Sequence, residues 1–245
     1  MNETAQKISQ LLLKNQPKLE ADFWYWLKPN QPPSKKDANK FFLACILDYQ
    51  IRAEAAWENA RRLAEDILKD PDNLWDEITS LPLSDWMSKR KEYKLHRFPK
   101  GHERVWSIGE RIAQQYEGDA RKIWQDKSID ATLYRLNDLG VGEQISRMVV
   151  GALNDTGQIT GKGDVKVDIH VRRVLGRALR GLEFSLQETG KVKELTRQMH
   201  PDNPWLLDRP LYWLGKQICE AGAPKCNSCF LQSVCVYYSR RRNLG

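Results

Sequence analysis

Four of the five cysteines in this 245-residue chain fall within seventeen residues, CEAGAPKCNSCFLQSVC, at positions 219 to 235 and the spacing C-x6-C-x2-C-x5-C. Only Cys45 lies elsewhere. A stretch this short, broken by glycine and proline, has too few apolar side chains to build its own core, so something must hold it. Disulfides or a metal could do so, and the redox compartment decides between them. The N-terminal MNETAQKISQLLLKNQ carries charge and glutamine where a secretory leader needs an unbroken apolar run, and no run of about 18 apolar residues occurs in the chain. These features predict a cytoplasmic protein without membrane association, whose thiols stay reduced and whose clustered C-x2-C spacing reads as a metal site. Four thiolates equally suit tetrahedral zinc and iron–sulfur, and the spacing leaves both open.

The rest of the chain repeats with a helical period. AEAAWENARRLAEDIL puts Ala56, Trp57, Ala60, Leu63, Ala64, Ile67 and Leu68 on one face. Val105, Ile108, Ile112 and Tyr116 do the same before Gly118, as do Val171, Val174, Leu175, Ala178 and Leu179. SKKDANKFFLACILDYQ opens on a capping-box-like Ser34 and Asp37, then runs nearly all apolar, as a central buried helix would. No comparable stretch alternates with period two. With 41% hydrophobic residues to fill a core, the prediction is an all-α fold. PNQPPSKK (29–36) and NDTGQITGKGDVK (154–166) are the loops that divide it.

Two local features carry candidate chemistry. In LNDLGVGEQISRMVVGAL, residues 136 to 153, Leu139, Gly140, Val141 and Gly142 form a tight turn into a second amphipathic helix. Glycines on either side of one apolar residue let the backbone turn sharply and expose amides at a helix start, where an anion such as a DNA phosphate is favoured. An ordinary helix–helix connection has the same pattern. In VDIHVRRVLGRAL, Asp168 stands at the start of a helix, where a plain N-cap or a carboxylate at the mouth of a cleft are the alternatives. Thirty-nine Lys and Arg against 32 Asp and Glu give a net charge of +7, which suits a polyanionic partner.

The order G-V-G hairpin, V-D-x-H-x-x-R-V, then C-x6-C-x2-C-x5-C resembles the endonuclease III family of helix-hairpin-helix DNA glycosylases, over about residues 37 to 235. The resemblance implies a [4Fe-4S] cluster on Cys219, Cys226, Cys229 and Cys235. It implies phosphate contacts from the hairpin and from Lys225, Arg240, Arg241 and Arg242, although the arginine-rich end is equally a frayed, solvated tail. The partner would be double-stranded DNA holding a damaged or modified base, flipped out by a monomeric enzyme. Gln50 matches a helix-end glutamine that fills the hole left in the stack, with Asp48 and Tyr49 beside the base pocket. Asp168 would stabilise positive charge on the sugar.

The departures from the family sharpen these expectations. Bifunctional members carry a Schiff-base lysine at the second position after G-V-G, where this chain has Gln144, so the implied nucleophile is water unless Lys162 or Lys166 substitutes. Adenine-removing members carry a glutamate where this chain has Cys45, read here as a buried core thiol. The glycine-proline-aspartate approach to the catalytic aspartate is replaced by Val167 before Asp168. Alternatives are a catalytically silent DNA-binding protein of the same fold, a bifunctional enzyme with a displaced lysine, and a zinc-stapled helical protein. The expected architecture is a helical barrel at 37–157 ending in the hairpin. A cluster lobe from 1–36 and 158–245 would complete it, with DNA in the groove between them and Asp168 at its floor.

Overall fold

The computed structural model describes residues 3–16 and 24–242; residues 1, 2, 17–23 and 243–245, parts of the lobe expected from 1–36 and 158–245, lie outside the described residues. The described residues are helical, with no strand and a single isolated bridge between Ser128 and Thr160. In chain order the helices are α1 (Glu3–Lys14), α2 (Lys35–Leu47), α3 (Ala53–Arg61), α4 (Leu74–Thr79), α5 (Leu83–Ser88), α6 (Arg90–Tyr93), α7 (Pro99–Tyr116), α8 (Ile129–Asp138), α9 (Glu143–Asp155), α10 (Ile169–Arg180), α11 (Thr189–Met199), α12 (Asp208–Gln217) and α13 (Val236–Arg242). None is long and apolar enough to cross a membrane. Two compact units divide the chain, one of Glu20–Gly161 and one of Met1–Leu19 with Lys162–Gly245.

The unit at 20–161 is built around α2. Ser34 accepts the Asp37 amide at 3.2 Å and donates its hydroxyl to the Asp37 carboxylate at 2.6 Å, which starts the helix; residues 38–47 are then all buried. Burying Asn39 among them is tolerated because its amide is satisfied: Oδ1 accepts from Trp75 Nε1 and Ala120 N–H, each at 3.0 Å, and Nδ2 donates to Gly118 O at 3.1 Å. Phe41, Phe42, Trp75 and Trp86 fill the surrounding space. The face expected to run through Leu68 is interrupted. α3 passes into a π-helical stretch, Arg62–Ile67, closed by Leu68 N–H to Leu63 O at 2.9 Å; the wider turn advances the face, so Ile67 and Leu68 are only half-buried.

Residues 24–27 also belong to this unit, whereas the sequence-based division at 37 put them in the other lobe. The cause is aromatic surface: Tyr25 stacks on Trp57 at 4.9 Å and 6°, Trp26 packs tilted against the same indole, and Leu27 is fully buried. At the other end the boundary falls at 161 rather than 157, because residues 153–160 still bond back through Thr160 N–H to Lys127 O.

The second unit packs α1, α10, α11 and α12 around Ile8, Leu12, Val171, Leu175, Leu211 and Leu214. Residues 219–235 form only short 3-10 turns and bury a single side chain, Leu231.

Candidate hairpin, carboxylate and thiol sites

In the 20–161 unit, α8 ends in a tight turn with Leu139 and Val141 buried as its plug. Gly140 takes φ +78°, which a side chain would strain, and Val141 N–H reaches back to Leu136 O at 2.9 Å. Arg111 donates to Asp138 O at 2.8 Å and braces the turn from α7. Gly142 is the N-cap of α9, is exposed, and has open space where a Cβ would stand, so the first-turn amides of α9 face an approachable surface. Gln144 lies on that first turn, partly buried, with its Oε1 shielded and given no hydrogen bond by the described residues.

α2 stops at Leu47, so Asp48 is its C-cap rather than a residue inside an apolar helix; its backbone turns to ψ 60°. Tyr49 is half-exposed, and Gln50, exposed, sits at φ +53°, a left-handed conformation that costs a non-glycine residue energy. Four residues absent from the sequence reading converge here. His96 Nε2 meets Tyr49 O at 2.6 Å and the two rings stack; Arg104 lies 4.7 Å over the Tyr49 ring; Arg97 lies 4.6 Å over Phe98. The signal for His96, Arg97 and Phe98 was present in KLHRFPKG, where basic and aromatic residues crowd a loop just before Pro99 opens a helix; Arg104 lies beyond it, inside α7.

In the other unit, Asp168 caps α10. Its Oδ1 accepts the amides of His170 at 2.8 Å and Val171 at 2.9 Å, which fixes the carboxylate and leaves Oδ2 without a hydrogen bond among the described residues. Lys162 is well exposed and its ammonium lies 4.0 Å from Asp202, while the Lys166 amide donates to Asp208 at 2.7 Å.

The same helix grips the cysteine loop. Arg173 donates to Cys219 O at 2.7 Å and to Gly215 O at 2.9 Å. Arg177 donates to Glu220 O at 2.7 Å and Ala221 O at 2.8 Å, with a weaker 3.7 Å contact to Cys219 Sγ. The thiols of Cys219, Cys226, Cys229 and Cys235 line one cavity of about 390 Å³, mouth included, together with Val174 and Leu214. Burial pushes the Cys219 and Cys235 thiols up and takes Cys229 to about 11, so binding a metal there releases protons. Among the described residues no three metal-binding side chains converge as a single ion requires. Four thiols lining one cavity are a donor set that an iron–sulfur cluster and tetrahedral zinc both accept. Cys45 is fully buried, and Lys225 pairs with Glu220 at 2.8 Å. Arg240 packs against Gly181, and Arg241 lies over Tyr237.

No protein-family model matches the chain. It is 23% identical over 214 residues to endonuclease III of Thermotoga maritima, spanning 86% of this chain and 89% of that one. Over most of its length the chain is similar to endonuclease III. Solved structures agree on the fold. An endonuclease III trapped as a covalent intermediate with DNA superposes with a TM-score of 0.65 at 18% identity, covering 99% of this chain and 100% of that one. A thermostable thymine-DNA glycosylase gives 0.65 at 17% identity, covering 98% of each chain. A non-covalent endonuclease III–DNA complex gives 0.64 at 18%, over 99% and 100%.

Proposed function

We propose that this chain is a DNA base-excision glycosylase that works without a Schiff base, extruding a damaged or modified base and hydrolysing its glycosidic bond with water. Relatives named as endonuclease III and thymine-DNA glycosylase support the general activity. Gln144 carries the finer reading: it occupies the hairpin position of the family's nucleophilic lysine, and an amide nitrogen has no free electron pair to attack the sugar.

The chemistry follows from the side chains. Open amides at the start of α9 receive a backbone phosphate. Gln50 fills the space the base leaves, with Asp48 and Tyr49 beside the extruded base. As the C1′–N bond breaks, its electron pair leaves with the base and positive charge grows on the sugar, which the unengaged Oδ2 of Asp168 opposes. Water's oxygen bonds to C1′, and its proton passes through that carboxylate to the departing base. Cys219, Cys226, Cys229 and Cys235 would hold a [4Fe-4S] cluster, which when bound ties the 219–235 loop together.

The test is a panel of duplexes, each with one uracil, mismatched thymine, alkylated base or enlarged modified cytosine, assayed for abasic sites. Strand breaks should appear only after alkali, and borohydride should trap no protein–DNA adduct. An adduct would return the chemistry to Lys162 or Lys166, and DNA binding with no excision of any base would favour a silent binding protein. Asp168→Asn should lower excision by about 10²–10³-fold while lesion binding survives; near-wild-type excision would leave Asp168 only a helix cap.

A further inference from the structure

His96 is a buried imidazole in the 20–161 unit, outside every role assigned above, and both of its nitrogens are engaged by backbone. Nδ1 accepts the Phe98 N–H at 3.1 Å, so the ring proton sits on Nε2 and is donated to Tyr49 O at 2.6 Å. The ring also lies 6.1 Å from the Tyr49 ring at 18°. One side chain therefore ties residues 96–98 to the turn that presents Gln50 in its costly left-handed conformation.

The strap is itself anchored. Asn59 donates to Leu95 O at 2.9 Å, and the Arg62 guanidinium donates to Tyr93 O from the start of the π-helical stretch. On the far side, a Cβ on Gly101 would stand 2.3 Å from the His96 ring, so α7 keeps a glycine where the imidazole is seated.

We propose that His96 is a positioning residue for base extrusion, which holds the Tyr49 carbonyl and thereby keeps Gln50 preorganised to fill the vacated stack. The proposal rests on the glycosylase function above and deepens it. Holding Gln50 in place before DNA arrives removes an ordering cost from the extruded complex alone, so His96 acts on discrimination and not on general duplex affinity.

The probes are a duplex with one tetrahydrofuran abasic analogue and the same duplex undamaged. His96→Ala should cut the preference for the abasic duplex by about tenfold, the worth of one good hydrogen bond, with undamaged-duplex affinity unchanged within about twofold. His96→Gln, which keeps a donor, should recover part of the preference. In a Gln50→Ala background, His96→Ala should add nothing, because its effect passes through that side chain. Equal loss on both duplexes, or additive effects in the double variant, would overturn the proposal and leave His96 a core residue. A readout without DNA separates this from the function itself. The HN–Hα coupling of Gln50 in the NMR spectrum reports its backbone angle, which should shift from the left-handed value in His96→Ala. If wild-type protein ignores the abasic site, the glycosylase function fails; if the coupling does not move, the clamp fails.

Discussion

Helix α2 and the 219–235 loop are of similar length and rest on opposite kinds of support. α2 buries ten consecutive residues, and its one interior amide, Asn39, is fully bonded. The loop buries only Leu231, and its carbonyls are held by Arg173 and Arg177 from α10 and by whatever the four thiols bind. Apolar burial is non-directional and spreads over many contacts, whereas a loop pinned at a few polar points fails when one point is lost. The unit that presents Gln50 and the hairpin should thus be robust, and the cysteine loop conditional on the metal proposed for its thiols.

The sharpest way to break this contrast is Cys229→Ala. Hydrogen exchange should show the amides of residues 219–242 losing protection, while those of residues 38–47 stay within about tenfold of wild type. Iron and sulfide analysis of anaerobically purified protein should find about four of each per chain, and stoichiometric zinc instead would correct the metal. Cys45→Ser, in the other unit, should leave the metal content unchanged.

Trp75→Ala tests the other side. Removing a fully buried indole that donates to Asn39 at 3.0 Å should cost about 3–5 kcal/mol in denaturant unfolding of the 20–161 unit, with metal retained at low denaturant. Loss of metal in this variant would mean that the two supports are not independent. Arg177→Ala should cost somewhat less, about 2–3 kcal/mol, because the Glu220 and Ala221 carbonyls lose charge-assisted donors. Its signature should be faster loss of iron to a chelator rather than a lower melting point of the apolar unit.

The smallest effect concerns acid. Burial pushes His102 below 6.5, and Arg90 adds to the shift against the opposing bond to the Trp86 carbonyl. The folded unit therefore binds fewer protons than the unfolded chain, so the stability present above pH 6.5 is lost as pH falls through the folded value. Melting temperature should decline on acidification, and His102→Gln should flatten that decline; an unchanged slope would assign the acid sensitivity elsewhere.

Much of this protein was legible without coordinates, and the legible part is local. The all-α class, the Ser34 start of α2, the glycine turn ahead of α9, the cap at Asp168 and the clustering of four thiols follow from patterns a few residues long. Tertiary structure alone decided the rest. His96 meets Tyr49 across 47 positions and Arg173 meets Cys219 across 46, and no periodicity encodes which distant carbonyl a side chain will find. The wide turn at Arg62–Ile67 breaks a face that the apolar pattern continues, and residues 24–27 join the unit of Trp57 because exposed aromatic surface was available there. Local sequence sets the backbone's near neighbours through sterics and capping. Which polar groups are buried together, and so must satisfy one another, is settled only when the chain packs.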